Sequence, residues 1–174
     1  MRWVRSVDNN SDDIATKLEK AIGLRKADKP EEALALIKKL IELEPNQAEL
    51  QYQAAWTCDY MGKESAAVPF YEAAIKNGLS GEDLRGALLG LGSTYRCLGR
   101  YDESLTTFDK AIELYPNDNA MRAFRALTLY NLKIPQQAVS ELLTLLLNTT
   151  NDEGIKSYES ALRFYSDKLD ETWE

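Results

Sequence analysis

LGSTYRCLGRYDESLTTFDKAIELYP, residues 91–116, carries the pattern that decides the fold. With Leu88 just ahead of it, large side chains recur every three or four residues at Leu88, Leu91, Tyr95 and Leu98. That is the spacing of one face of an α-helix. Gly99 follows, at a place where helices stop. A second run begins at once with Tyr101, Leu105, Phe108, Ile112 and Leu114, and Pro116 ends it. The stretch therefore predicts a helix, a tight turn, a second helix and a stop. Small residues at Gly92, Ser104 and Ala111 stand among the bulky ones, as they would where two helices must approach closely.

The same design recurs along the chain. EEALALIKKLIELEPN (31–46) parallels DESLTTFDKAIELYPN (102–117), so that Ala33, Ile37, Leu40 and Pro45 match Ser104, Phe108, Ala111 and Pro116. A fixed period of this kind decides an architecture before any local propensity does. The units run over 14–47, 48–81, 85–118 and 119–152, each of 34 residues, with a three-residue insert at 82–84. Residues 1–13 form an N-terminal segment. Residues 153–174 hold a capping helix and tail, read from DEGIKSYESALRFYSDKL (152–169), where Ile155, Tyr158, Leu162 and Tyr165 share a helical face. Helix starts are expected at Ser11-Asp12-Asp13, at Asn46 with Glu49, at Ser80 with Asp83, and at Asn151-Asp152-Glu153, each offering a capping oxygen and acids. Pro30 and Pro135 occupy corresponding turns. No glycine-serine linker divides the chain, so one continuous array is expected.

Composition narrows the function. Apolar residues make up 44% and charged residues 28% of the 174, a globular balance. A chain of this length buries roughly 70% of its unfolded surface and needs no staples. The net charge is −7, which argues against nucleic-acid binding, where affinity comes from neutralising phosphates, and against docking on anionic lipid. The chain has no histidine, so the commonest general base and metal ligand is missing. Cys58 and Cys97 lie far apart in helical patterns and read as small buried apolar residues of a cytosolic protein. No apolar run at the N-terminus has signal-peptide length. LLTLLLN at 142–148 falls well short of the ~20 residues of a membrane span. A cytoplasmic location is the expectation.

These residues resemble the tetratricopeptide repeat, a 34-residue helix-turn-helix with large residues at fixed places, a small residue in each helix and a closing proline. The third unit matches through Leu88, Leu91, Gly92, Tyr95, Gly99, Tyr101, Ser104, Phe108, Ala111 and Pro116. The first matches in its second helix and more loosely at Ala21 and Leu24. The second has Ala54, Ala55, Cys58, Gly62, Ala67, Tyr71 and Ala74, with Leu79 in place of the proline. The fourth has Ala126, Leu129, Ala138, Leu142 and Leu145 and lacks the proline. The resemblance implies an all-α fold, a right-handed superhelical array of antiparallel helix pairs (an α-α solenoid) whose stacked repeats offer a concave binding surface. Where the third unit has Leu88 and Leu91, the first has Lys17 and Lys20 and the fourth Arg122 and Arg125. Either the packing register slips there, with Leu18, Ala21, Met121 and Phe124 taking over, or the charges face outward near the array ends, or they form a basic ligand cluster.

In this family the first helix of each pair lines the inner groove. Carried over by register, the groove residues are Leu18, Ile22, Arg25 and Lys26 in the first unit. They are Tyr52, Trp56, Asp59 and Tyr60 in the second, Leu89, Ser93 and Arg96 in the third, and Ala123, Leu127, Tyr130 and Asn131 in the fourth. Tyr52, Trp56 and Tyr60 are four apart and share one helix face. They are either binding anchors or core packing. Arg96 is a candidate for pairing a peptide carboxylate, or a solvated surface arginine. Some family members grip a C-terminal carboxylate with lysines and asparagines, and the matching positions here are Leu18, Ile22, Gln53, Gly86 and Gly90, so that clamp is absent.

Other chemistry finds little support. DNNSDDIATKLE (8–19) spaces Asp8, Asn10, Asp12 and Glu19 as a calcium loop would, but Asp13 stands where that loop needs glycine, and an acidic helix start is the plainer reading. Phosphate loops, nucleophile elbows and paired metal ligands are not found, so neither an enzyme nor a cofactor or metal is expected. The sequence points to a non-catalytic adaptor that binds a protein or peptide partner. The alternative is a self-associating, homo-oligomeric scaffold joined through its open ends or through Met1-Arg2-Trp3-Val4.

Overall fold

The computed structural model describes the backbone of residues 8–174 and the side chains of residues 13–174. The segment Met1-Arg2-Trp3-Val4 and the side chains of Asp8, Asn10 and Asp12 lie outside the described residues. The fold is all-α, a series of antiparallel helix pairs: α1 (Asp8–Lys26), α2 (Pro30–Leu43), α3 (Ala48–Tyr60), α4 (Glu64–Lys76), α5 (Gly81–Cys97), α6 (Tyr101–Leu114), α7 (Asn119–Asn131), α8 (Pro135–Thr149), α9 (Glu153–Ser157) and α10 (Glu159–Tyr165). The chain forms two compact units, Met1–Thr94 and Tyr95–Glu174, with the division falling within α5.

The turn inside each pair is built the same way four times. Asp28, Gly62, Gly99 and Lys133 each take positive φ, at 58°, 65°, 75° and 65°. The next residue in each case donates its N–H five residues back: Lys29 to Leu24, Lys63 to Cys58, Arg100 to Tyr95 and Ile134 to Leu129, at 2.9–3.0 Å. This is the left-handed helix cap that satisfies the last carbonyls of a helix. Gly99 stops its helix as the sequence implies. Asp28 and Lys133 adopt the same left-handed conformation with a side chain. In those two repeats a proline, Pro30 or Pro135, opens the following helix and supplies a preset φ.

In the first unit, Ile14, Leu18 and Ala21 of α1 join Ile37, Leu40, Leu50 and Ala54 in one buried cluster. α1 therefore turns a different stripe inward from the one that alignment with Leu88 and Leu91 gives. Lys20 is exposed and Lys17 pairs with Asp13 at its rim. The slipped packing register holds, and Leu18 is a core residue rather than a groove residue. In the second unit Met121 is fully buried, and Phe124 stacks on Phe108 with ring centroids 6.3 Å apart. Arg125 reaches across to Asp109 at 2.7 Å and Glu141 at 2.8 Å, while Arg122 donates to the Pro116 carbonyl at 3.1 Å. Ser104 meets Thr128 hydroxyl to hydroxyl at 2.9 Å, which explains a small polar residue at that crossing of α6 and α7.

Several local expectations change. α1 is helical from Asp8, so residues 8–19 form continuous helix and not a calcium loop, and the helix starts three residues before Ser11. Gln47, not Asn46, is the N-cap residue of α3. The cap at Asp152 is made, with Oδ1 accepting from the Ile155 N–H at 2.8 Å. The single helix expected over 152–169 is broken at Tyr158 into α9 and α10. Cys58 is buried but Cys97 is exposed. Among the described residues no helix is long and apolar enough to cross a membrane.

Candidate functional site

α3 sets the character of the first unit. Every residue from Leu50 to Cys58 is buried except Trp56, which is 45% exposed. A helix packed on both flanks has only one strip of surface left, and Trp56 stands in the middle of it. Tyr60, one turn on, is 53% exposed and donates its hydroxyl to Asp28 Oδ1 at 3.1 Å. Tyr52, one turn back, shares the face but is 91% buried, given its 9% exposure.

Trp56 does not hang free. The Arg25 guanidinium lies 4.0 Å from its ring centroid, and Tyr52 stacks beside it at 6.1 Å with planes 24° apart. Arg25 is 4% exposed, and α3 fixes it in place. Its Nη1 donates to Thr57 Oγ1 at 3.0 Å and to the Gln53 carbonyl at 3.3 Å, and its Nη2 to Gln53 Oε1 at 2.9 Å. Burial lowers the Arg25 pKa from its ordinary value, and hydrogen bonds and the indole face stand in for water around the cation. Arg25 thus braces Trp56, and its donors are taken up by Gln53 and Thr57. Ile22 is half-buried against the α1 core and Lys26 is exposed.

The other flank of α3 holds a carboxylate. Asp59 Oδ2 accepts from the Tyr71 hydroxyl at 2.7 Å, and both its oxygens lie 3.0 Å from the Thr94 hydroxyl. Burial pushes the Asp59 carboxyl above the usual carboxylate range, against the pull of those two hydrogen bonds. Tyr71 comes from α4 and sits at the repeat position that Phe108 fills in the third unit. Its extra hydroxyl is what Asp59 satisfies, and burial together with that carboxylate raises its own pKa. α5 makes room for both tyrosines with glycines. A Cβ on Gly90 would overlap the Tyr71 hydroxyl and lie 2.6 Å from Cζ, and one on Gly86 would overlap the Tyr52 hydroxyl. The sequence reading passed over this arrangement; Tyr71 in place of phenylalanine and two glycines four apart were its visible signals. Leu89 and Ser93 of α5 are half-buried.

In the second unit Arg96 is half-buried and donates Nη1 to Asn131 Oδ1 at 3.2 Å. The structure thus joins two of the sequence-predicted groove residues. Among the described residues Arg96 Nε is the buried side-chain atom left without an acceptor. Tyr130 and Leu127 beside them are exposed, at 64% and 42%, and Ala123 is half-buried. Trp56, Ser93 and Leu127 occupy equivalent repeat positions. Among the described residues no group of three histidine, cysteine, aspartate or glutamate side chains is placed to hold a metal ion.

An antiparallel helix pair repeated with one left-handed cap and one small-residue crossing defines a helical-repeat protein. The chain belongs to the tetratricopeptide repeat family, whose profile, described as "Tetratrico peptide repeat", matches residues 47–169. Among solved structures it is similar to YrrB, described as a TPR protein with an unusual peptide-binding site, at TM-score 0.72 and 20% identity over 95% of this chain and 84% of that one. It is similar to the MamA protein at TM-score 0.70 and 17% identity over 95% and 81%. A structure from the functional characterization of Pseudomonas aeruginosa pilF aligns at TM-score 0.66 and 16% identity over 94% and 79%. At these identities the likeness is one of fold. No curated protein matches the chain in sequence.

Proposed function

We propose that this chain is a non-catalytic adaptor that takes a peptide or protein segment of a partner on the inner-helix faces of its repeats. In the first unit Trp56 and Tyr60 anchor apolar side chains of the partner, with Tyr52, Leu89 and Ser93 at their margins. In the second unit Arg96, Asn131 and Tyr130 supply polar and aromatic contacts. The observation that carries the reading is Trp56, an exposed indole in an otherwise buried stretch, clamped by Arg25 and Tyr52. A large side chain fixed before binding loses little entropy on binding, and such aromatics are where interface energy concentrates. The peptide-binding site named for YrrB, a protein of the same fold, supports it. The test is Trp56→Ala against a peptide selected on the intact protein. Affinity falls by about tenfold or more while the array still melts cooperatively. Unchanged affinity with a lowered Tm would make Trp56 a packing residue and remove the proposal.

A second reading, self-association, draws on a different surface. In the second unit Val139, Leu142 and Leu146 of α8 are each about 40% exposed along one stripe. Phe164, Tyr165 and Trp173 form an exposed cluster with centroids 5.3–6.0 Å apart. Contiguous apolar surface of this kind marks association sites. Light scattering at tens of micromolar separates the readings: a monomer excludes the scaffold.

A further inference from the structure

Resting on the peptide-binding reading, we infer that the first unit selects a partner segment carrying a basic side chain, lysine or arginine, whose cationic head is received by Asp59 and the Tyr52 hydroxyl between α3 and α5.

Three observations converge on that place. Asp59 is a half-buried carboxylate whose neighbours are two hydroxyls; among the described residues no lysine or arginine pairs with it. A carboxylate accepts about four hydrogen bonds, and its Oδ1 receives only the one from Thr94, which Oδ2 shares. An anion withdrawn from water and held by neutral groups alone is short of a counter-charge.

The second observation is Tyr52. Its ring is largely buried, at 9% exposure for the residue, while its hydroxyl makes no hydrogen bond within the described residues and is not closed off from solvent. That hydroxyl occupies the space where a Gly86 side chain would begin, just as the Tyr71 hydroxyl occupies the space at Gly90. Residues four apart on a helix lie about 5–6 Å from each other, so the two phenol oxygens stand one turn apart along α5. One of them is already bonded to Asp59, and the other is unclaimed. An ammonium or guanidinium head offers several donors and no acceptor. A carboxylate oxygen, a phenol oxygen and aromatic walls match that need.

The third observation is charge. The protein carries −7 overall, which speeds the approach of a basic segment and slows that of an acidic one. Two cations, Arg25 and Arg85, act on the Tyr52 phenol, and both are engaged elsewhere: Arg25 by Gln53, Thr57 and the Trp56 ring, and Arg85 by Glu82.

The probe is a phage library of random heptapeptides selected on the immobilised full chain, followed by the best synthetic peptide and its norleucine analogue, in which the basic residue loses its charge. The expected result is enrichment of peptides that place lysine or arginine near an aromatic or large aliphatic residue. Asp59→Asn then weakens the basic peptide by about tenfold, the size of one charge-assisted contact, and leaves the norleucine peptide unchanged. Tyr52→Phe, which removes only the hydroxyl, shows a smaller loss in the same direction, and it carries the test if Asp59→Asn fails to melt cooperatively. Enriched peptides without a basic residue, or equal binding to wild type and both variants, overturn this inference and leave peptide binding standing. No enrichment above that on a Trp56→Ala chain overturns both.

Discussion

Adding one methyl group to a helix glycine should have opposite effects at two places in the first unit. Gly23 lies near the end of α1, and a Cβ there meets nothing within 4 Å. Gly23→Ala is expected to stabilise the protein by about 0.5–1 kcal/mol, because the unfolded chain loses freedom and the helix loses nothing. Gly90 lies in α5 against Tyr71. Its new Cβ would overlap the phenol oxygen and stand 2.6 Å from Cζ and 3.1 Å from Cε1. Tyr71 has little room to swing away, being 3% exposed and bonded to Asp59 at 2.7 Å. Overpacking costs about 1–3 kcal/mol, and if the ring moves instead, a hydrogen bond to a charged group worth about 1.5–3 kcal/mol is lost. Subtracting the helix gain of about 0.5–1 kcal/mol, Gly90→Ala should destabilise by about 1–2 kcal/mol. For a chain of this size that lowers Tm by roughly 2–8 °C. Paired urea and thermal melts read both variants. Adding Tyr71→Phe should rescue Gly90→Ala only partly, because the ring carbon itself is too close. A Gly90→Ala protein as stable as wild type would refute the notched packing of α5 and the site built on it.

Two further outcomes follow from local geometry. Lys133 holds φ 65° at a turn where two other repeats use glycine; relieving a left-handed side chain returns about 1–2 kcal/mol, less the entropy of glycine, so Lys133→Gly should raise stability by about 0.5 kcal/mol in urea melts, and a loss would contradict the cap assignment. Asp59 has a folded-state pKa above its ordinary 3.8; the folded state therefore binds the proton more tightly, and wild type loses stability relative to Asp59→Asn as pH rises from below 3.8 through the raised value, which melts at pH 3.5 and 7 compare directly, the opposite trend denying the burial of that carboxylate.

Much of the fold was legible because helix pairs are local objects. Gly99 and the prolines at 30 and 135 each act within a few residues, and the structure keeps them. The inward stripe of α1 was not legible from the alignment with Leu88 and Leu91, because what decides it is tertiary. Ile14, Leu18 and Ala21 find Ile37 and Leu50, and the helix turns accordingly. The bracing of Trp56 by Arg25 was not legible for a related reason, since Gln53 and Thr57 lie 28 and 32 residues away and only the folded pair draws the guanidinium inward. Trp56 and Tyr60 were readable as an aromatic row on one helix face, but which member is buried depends on the glycines of α5. The break at Tyr158 had no clear signal, as the periodicity runs through it unbroken.

The most direct test of the account is hydrogen–deuterium exchange of the full chain with and without a selected heptapeptide. The account predicts slowed exchange in residues 50–60 and 83–94, around Trp56, Asp59 and Gly90, with α8 and the C-terminal cluster unchanged. Protection confined to 139–146 and 158–173 would contradict it and move the binding surface to the exposed apolar end of the second unit.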